Sequence, residues 1–319
     1  MPWSLPTRFG YDHFFGLRSG AADYFSHRVD LIHSDPLDGL YRDEKRVDVP
    51  GYLTDILADE AVRYVSTKDP QPFFLSLHFN APHWPWEGPE DEEVSRDLKD
   101  IFHRSGGTLE TYAKMVAAMD RAIGRVLDAI KTAGEEENTI VVFTSDNGGE
   151  RYSDTWPFTG VKGELLEGGI RVPLLMKWPH RITPGLTSDR VMASMDFLPT
   201  LLAATRHDAA SQGYNGDGLN LLPILTGQAE PVARTLFWRF KASQQAAVRD
   251  GDWKYLKLGG KEHLFNVRTD PRERARLNDL YPDRMSELRK KYDAWNAQML
   301  PYTLESYSES TKASYADRY

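Results

Sequence analysis

Hydrophobic residues that recur every three or four positions predict four helices along the chain. One extends from about Thr54 to Ser66, with Thr54 as its expected N-cap, and a longer one extends from about Leu109 to Ala133. A shorter apolar run predicts a helix over Asp196 to Ala203, and a further stripe predicts one over Pro282 to Met299. Each apolar stripe should face a core, because an amphipathic helix buries one side.

Three short apolar runs, bounded by turn-forming residues, predict buried strands. They cover Phe73 to Phe79, Thr139 to Thr144 and Pro173 to Trp178. The first two flank the long helix, so they predict a βαβ unit within a mostly parallel sheet flanked by helices. Ligands bind beyond the carboxyl ends of strands in such sheets. We therefore expect His83 and Asp146, which follow the first and second strands, to share one sheet edge.

The carboxyl-terminal part of the chain has a different pattern. Turns containing glycine separate three runs that predict a small antiparallel sheet: Ala246 to Arg249, Trp253 to Leu258 and Glu262 to Val267. We expect residues 1–235 to form the main α/β domain and residues 236–301 to form a subdomain closed by the last helix. Residues 302–319 are polar and aperiodic, which predicts a flexible tail.

Composition excludes several classes of protein. A net charge of -8 argues against a general nucleic-acid binder, although it leaves room for an anionic ligand held by local cations. No apolar run approaches the length of a membrane span, and the first residues lack the features of an export signal. The absence of cysteine from the sequence excludes disulfides, thiolate zinc sites and a cysteine nucleophile, but it leaves localisation unknown.

Asp146 and Asn147 place a carboxylate and an amide oxygen on consecutive residues at the exit of a predicted strand. Oxygen ligands of this kind suit a hard cation such as Ca²⁺ or Mg²⁺. Gly148 and Gly149 follow, and Asp, Asn and Gly are also common turn residues. The local pattern therefore leaves two interpretations open, a metal site and an ordinary turn.

Three further side chains are candidates for ligand binding, each with a structural alternative. Lys162 lies between Gly160 and Gly163 and could present its ammonium to an oxyanion, or it could be a solvated surface lysine. His83 follows Pro82 in a loop rich in proline, where it could donate to an anion or transfer a proton, or be bonded within the loop. Trp84 could line a substrate pocket or could pack within the protein.

The order of these motifs resembles the sulfatase family, of the arylsulfatase type, in the alkaline phosphatase superfamily. The segments that carry the resemblance are TSDNGGE, a Lys-Gly pair and EGGIRVP, with a histidine in a proline-rich loop upstream. Other segments are similar to arylsulfatase-type sequences: FGYDHFFG, MDFLPTLL, GDWKYLKL and LFNVRTDPRERARL. The resemblance extends over nearly the whole chain, up to about Pro301.

The resemblance implies an alkaline phosphatase-like α/β fold and a sulfuric ester hydrolase that acts on a small-molecule or carbohydrate sulfate ester. It also implies a Ca²⁺ site and a formylglycine nucleophile made from cysteine or serine. Asp146 and Asn147 would be metal ligands, and His83 and Lys162 would contact the sulfate and the leaving-group oxygen. The family further suggests a periplasmic or extracellular location.

Several parts of the family pattern are missing. We identify no Asp-Asp metal pair and no nucleophile with its following arginine, so the chain is expected to lack the amino-terminal segment of the family domain. Ser4 has the spacing of a serine-type maturation motif, but its context differs and we reject it as the nucleophile. The isolated chain should therefore be inactive or incomplete, and an incomplete sheet should expose an edge that favours association.

Two other functions remain open at this level. One is a non-catalytic or vestigial protein that binds anions on the same scaffold. The other is a phosphonate or phosphate monoester hydrolase of the same superfamily. The EGGIRVP segment and the arylsulfatase-like ending favour sulfate.

Overall fold

The structure is a computed structural model, which describes residues 5–33, 38–67, 71–101, 106–230, 233–240 and 244–301. Ser4 and the predicted tail over residues 302–319 lie outside the described residues. The chain divides into two compact units, Met1–Asn138 and Thr139–Tyr319. The predicted boundaries at residues 235 and 301 stay predictions.

The first unit combines a small antiparallel sheet with helices. Its described elements are β1 (Phe15–Leu17), β2 (Leu40–Arg42), β3 (Lys45–Val47), α1 (Leu53–Ser66), α2 (Glu92–Asp97) and α3 (Leu109–Thr132). The two longer helices confirm the prediction from hydrophobic period. The N-cap prediction for α1 is wrong, because Thr54 lies inside the helix and Tyr52 is the cap. At α3, the Thr108 side chain caps the helix by accepting a hydrogen bond from the Thr111 backbone N–H.

Helices α1 and α3 pack against each other mainly through small side chains. Their shared cluster is fully or nearly fully buried: Ala58, Ala61, Val65, Ala122, Val126, Ala129 and Ile130. Alanine at such an interface lets two helix backbones approach closely. The apolar stripe of α3 is only partly buried, since Val116 and Leu127 remain exposed.

The segment over residues 73–79 forms no ladder with any part of the chain that the structure describes. Alternate residues Leu75, Leu77 and Phe79 pack against the α1–α3 cluster, while Phe74 is exposed. The alternation expected of a strand is therefore present without a strand partner. A parallel pairing of this segment with the strand after α3 is not observed in the described residues.

The second unit contains a two-stranded sheet, short helices and a four-stranded sheet. Its described elements are β4 (Val141–Thr144), α4 (Glu167–Ile170), β5 (Leu174–Lys177), α5 (Phe197–Ala204), α6 (Leu222–Leu225), β6 (Thr235–Phe240), β7 (Gln245–Asp250), β8 (Trp253–Leu258), β9 (Lys261–Asn266) and α7 (Pro282–Asn296). Residues 145–173, which we call the glycine-rich segment, lie between two predicted strands, and both strands are confirmed. They pair with each other in antiparallel register, with Val141 opposite Lys177, so a parallel arrangement of this pair is wrong.

The four-stranded sheet has the order β6-β7-β8-β9 and buries both of its faces. On one face, Val248, Tyr255 and Leu264 pack against Met285 and Leu288 of α7, as the sequence predicts. The opposite face packs against the glycine-rich segment. Its buried members form a second cluster: Leu165, Ala247, Leu256, Phe265 and Val267. The sheet thus lies between its closing helix and the segment that carries the predicted ligand-binding residues.

Strands β4 and β5 leave apolar side chains exposed. Leu175 is 59% exposed, and Phe143 and Leu174 are more than one third exposed. Within the described residues, each of the two strands pairs only with the other. Across the same residues, no helix combines the length and the apolar character that a bilayer crossing requires.

Candidate functional site

The loop that leaves β4 carries the predicted metal ligands. The Asn147 backbone N–H donates to Asp146 Oδ1 over 3.0 Å, and Ser145 Oγ donates to the Asn147 carbonyl over 3.2 Å. Asp146 is exposed and Asn147 is half-buried. The turn interpretation and the ligand interpretation are therefore compatible, because the turn holds the carboxylate at the surface.

Two pairs of glycines bring the loop against the α4 segment. The Gly148 N–H donates to the Gly169 carbonyl over 2.9 Å, and the Gly168 N–H donates to the Thr159 carbonyl over 2.7 Å. A Cβ on Gly148 would lie 1.8 Å from the Gly168 oxygen, and a Cβ on Gly169 would lie 2.1 Å from the Glu164 oxygen. Any side chain here would force the backbones apart, which is the close approach that glycine permits.

Lys162 is joined to the same loop through its backbone. Its N–H donates to the Gly149 carbonyl over 2.9 Å, so the residues between Gly149 and Lys162 form a closed loop. The Lys162 side chain is 31% exposed, and its Nζ lies 3.6 Å from Oε2 of the more buried Glu150. Lys162 is therefore joined by its backbone to a residue three positions after Asp146, and its ammonium already has a carboxylate partner.

A buried ionic cluster holds α4 against the four-stranded sheet. Lys254 Nζ donates to Glu167 Oε1 over 2.9 Å and lies 2.9 Å from Glu273 Oε1. Arg249 donates to Glu167 Oε2 over 3.2 Å, and the Glu167 backbone N–H donates to Glu273 Oε2 over 2.6 Å. Lys254 and Glu273 have fully buried side chains, and Glu167 is almost fully buried. We call Glu167, Arg249, Lys254 and Glu273 the buried ionic cluster.

The two carboxyls of this cluster respond oppositely to burial. Burial alone would raise the pKa of Glu167, but Lys254 and Arg249 together hold that pKa below its ordinary value. Burial raises the pKa of Glu273, and the attraction of Lys254 does not overcome it. Glu167 is therefore the charged partner that compensates the two neighbouring cations.

A glutamine completes the attachment of the loop to the sheet. Gln245 Oε1 accepts a hydrogen bond from the Leu165 N–H, and Gln245 Nε2 donates to the Gly163 carbonyl, each over 2.8 Å. Gln245 alternates along β7 with Ala247 and Arg249, so all three face the glycine-rich segment. Two backbone groups just before α4 are thereby tied to one sheet face.

His83 and Trp84 lie in the first unit. His83 Nδ1 lies 2.8 Å from the Trp84 carbonyl oxygen, and the two rings are 4.2 Å apart between centroids. Because a carbonyl only accepts, Nδ1 carries the proton and Nε2 has the lone pair in the neutral ring. Both side chains are half-buried. The prediction that His83 and Asp146 share one site stays a prediction.

The donors fit a hard cation in kind but supply only part of a coordination shell. Ca²⁺ takes roughly six to eight oxygen ligands, whereas this loop offers the side chains of Asp146 and Asn147. Among the described residues, no group of three or more acidic, histidine or cysteine side chains could hold a metal. Water or polypeptide outside these residues would have to complete such a site.

Sequence reasoning missed the buried ionic cluster. In the sequence Glu167 stands out only as part of EGGIRVP, and Lys254 and Glu273 do not stand out because most lysines and glutamates are solvated. A usable signal was present in β8, where Lys254 shares its face with the apolar residues Leu256 and Leu258. A charge on the apolar face of a strand indicates a buried partner.

Comparison with known proteins places this geometry in context. The family model described as Sulfatase matches residues 3–207, and the model described as N-sulphoglucosamine sulphohydrolase, C-terminal, matches residues 162–298. The chain is similar to an uncharacterised sulfatase, YdeN, of Escherichia coli, with 32% identity over 73% of this chain and 40% of that protein. It is also similar to arylsulfatase J of Mus musculus, with 26% identity over 93% of this chain and 58% of that protein.

The chain is also similar in structure to solved proteins. The structure of Ps i-CgsB in complex with k-i-k-neocarrahexaose superposes with a TM-score of 0.79 at 28% identity, covering 92% of this chain and 68% of that one. The sulfatase PsFucS1 from Pseudoalteromonas superposes with a TM-score of 0.68 at 22% identity. These similarities confirm the α/β fold class. The chain spans about half the length of the first two relatives, 40% and 58%.

Proposed function

Because the chain belongs to the sulfatase family, we propose that it supplies the cation-binding and anion-binding half of a site that hydrolyses a sulfate monoester. The observation that carries the proposal is the closed loop between Gly149 and Lys162, since its backbone hydrogen bond joins Lys162 to a residue two positions after Asn147. A metal-type carboxylate and a lysine that are linked through this backbone hydrogen bond suit an anionic ester bound next to a hard cation.

Each residue has a proposed task. Asp146 and Asn147 would contribute oxygen ligands to Ca²⁺, with Mg²⁺ as the alternative, and the cation would offset the charge of the ester. The Lys162 ammonium would bind a sulfate oxygen and stabilise negative charge that develops during cleavage. His83, in its protonated form with Nδ1–H held by the Trp84 carbonyl, would donate its Nε2–H to the leaving-group oxygen.

The nucleophile is not assigned within this sequence. A formylglycine made from cysteine would have to come from polypeptide outside these residues, since the sequence contains no cysteine. We therefore expect the isolated chain to bind anions without releasing sulfate from an aryl sulfate ester, even with Ca²⁺ present. The substrate of the complete protein would be a small-molecule or carbohydrate sulfate ester, as the carbohydrate ligand of Ps i-CgsB supports.

The test is calorimetric titration of the purified chain with inorganic sulfate, with and without Ca²⁺. Lys162→Ala should weaken sulfate binding about tenfold under both conditions, because a charged hydrogen-bond donor is lost. Asp146→Asn should remove only the increase in affinity that Ca²⁺ produces. Lys290→Ala, which removes an exposed lysine of α7, is the matched control and should bind like wild type.

Unchanged sulfate affinity in Lys162→Ala would refute the anion site. An unchanged Ca²⁺ effect in Asp146→Asn would refute the cation site. Titration with inorganic phosphate and a phosphonate under the same conditions compares the related ester classes, and tighter binding of these anions would favour the phosphonate or phosphate monoesterase alternative. Sulfate release by the isolated chain that disappears in Lys162→Ala would contradict the expected lack of turnover.

A further inference from the structure

The loop between Gly149 and Lys162 presents an aromatic ring to solvent. Trp156 is 68% exposed, although it lies in a turn that is held by hydrogen bonds. Its N–H donates to Asp154 Oδ1 over 2.8 Å, and the Phe158 N–H donates to the Thr155 carbonyl over 2.8 Å. These bonds hold the backbone of the turn, and the exposed ring is available at the surface for a contact.

A cation lies against this ring. The Arg272 guanidinium carbon is 4.8 Å from the Trp156 ring centroid, within the range of a cation–π interaction. Arg272 is itself exposed. Phe158, two residues after Trp156, has a similar partner: the Arg171 guanidinium carbon lies 4.5 Å from the Phe158 ring centroid. The surface beside the loop thus combines flat apolar rings with guanidinium groups that can pair with anions.

Both members of the Trp156–Arg272 pair are anchored to the candidate site. Trp156 lies inside the loop that the Lys162–Gly149 hydrogen bond closes. Arg272 immediately precedes Glu273, which accepts the Glu167 N–H over 2.6 Å and belongs to the buried ionic cluster. The closed loop and the buried ionic cluster therefore hold the Trp156–Arg272 pair as well as Lys162. A ligand larger than a single sulfate could contact Lys162 and this pair together.

We propose that Trp156 and Arg272 form a subsite for a sugar ring that carries an anionic substituent, next to the sulfate group bound by Lys162. The proposal rests on the proposed function and specifies its substrate as an oligosaccharide with more than one anionic group. The indole face would pack on the C–H face of a pyranose ring, and the guanidinium would pair with a second sulfate or a carboxylate. A simple aryl sulfate would not reach this pair.

The experiment titrates the full chain with a sulfated carrageenan hexasaccharide, the desulfated hexasaccharide and inorganic sulfate. Trp156→Ala and Arg272→Ala should each weaken binding of the sulfated hexasaccharide about five- to tenfold, and neither should change the affinity for inorganic sulfate. Trp156→Phe should retain most of the affinity because it keeps an aromatic face. The desulfated hexasaccharide should bind more weakly and should not respond to Arg272→Ala.

Arg274→Ala, an exposed arginine two residues from Arg272, is the matched control and should bind like wild type. Melting temperatures equal to that of wild type would show that the exposed substitutions leave the fold intact. The subsite is overturned if Trp156→Ala and Arg272→Ala leave the affinity for the sulfated hexasaccharide unchanged, or if wild type does not bind it. Hexasaccharide binding that depends on Trp156 but not on Lys162 supports the subsite and overturns the sulfate site, so the two failures are distinguishable.

Discussion

At the scale of single residues, Glu87 shows how burial alters acid–base behaviour in the first unit. Its side chain is fully buried, and Oε2 accepts the Tyr24 N–H over 3.0 Å. Burial raises the pKa of Glu87 to about 9, and the negative charge of buried Asp23 adds to the rise. Asp23 accepts its own hydrogen bonds from the Ser95 hydroxyl and the Ser26 N–H. Glu87 is therefore protonated at neutral pH.

Substitution of Glu87 should change how stability depends on pH. A carboxyl whose pKa is raised in the folded state stabilises fully below its unfolded pKa, and this contribution is lost as pH rises through the folded pKa of about 9. Wild-type stability should therefore fall between about pH 5 and pH 9 through this group. Glu87→Gln should remove that slope and be more stable than wild type by up to about 5 kcal/mol at pH 8.

Urea unfolding at a series of pH values checks this prediction. Glu93→Gln, which neutralises an exposed glutamate of α2, serves as the control and should follow the wild-type curve. Parallel curves for wild type and Glu87→Gln across this pH range would contradict the protonated state of Glu87.

At the scale of elements, the four-stranded sheet supports the glycine-rich segment as well as its own helix. Arg249 of β7 and Lys254 of β8 are directly opposite each other in the ladder. Two like charges at such a position are destabilising on their own. Glu167 of α4 contacts both cations, so the sheet and the segment that carries Lys162 stabilise each other.

Removal of Lys254 should be costly for this reason. Lys254→Met would leave Glu167 and Glu273 buried together without their shared cation, and we expect a loss of about 3–5 kcal/mol in the free energy of unfolding. The double variant Lys254→Met/Glu273→Gln should recover part of the loss, because it removes one of the uncompensated carboxyls. Guanidinium unfolding of each variant measures both effects.

Lys257→Met is the control, because it removes a lysine of the same strand that lies outside the buried ionic cluster. Lys257 is only half-buried, so this variant should stay within about 0.5 kcal/mol of wild type. A similarly small loss in Lys254→Met would show that the buried ionic cluster does not stabilise the second unit.

At the scale of the whole molecule, the exposed apolar face of β4 and β5 should favour self-association. Unpaired strand edges and contiguous apolar side chains promote contacts between chains. We expect the fraction of dimer or larger species to rise with protein concentration, and Leu175→Lys should lower it by placing a charge on β5. Sedimentation velocity over a range of concentrations provides the measurement.

Leu186→Lys is the control for that substitution. Leu186 is 70% exposed but lies outside both strands, so it tests a charge on an exposed leucine away from the sheet. Equal reduction of association by the two variants would attribute the effect to net charge rather than to β5. A monomer at every concentration would refute the expected association.

Local elements and the order of motifs were predictable from the sequence. Hydrophobic period identified α1, α3, α5 and α7, because each needs one apolar face, and glycine turns identified β7, β8 and β9 of the carboxyl-terminal sheet but not β6. The family also followed from motif order, and the match over residues 3–207 confirmed it. Side-chain chemistry at Asp146, Asn147 and Lys162 predicted a cation and anion site, which stays a prediction.

Only the tertiary structure decided how these parts contact one another. The antiparallel pairing of β4 with β5 and the absence of a ladder at residues 73–79 in the described chain depend on strand partners, which local pattern does not specify. The burial of Lys254 and the pairing of Trp156 with Arg272 join residues far apart in sequence. A residue's own neighbours determine its local conformation, whereas its charge compensation depends on what the fold brings beside it.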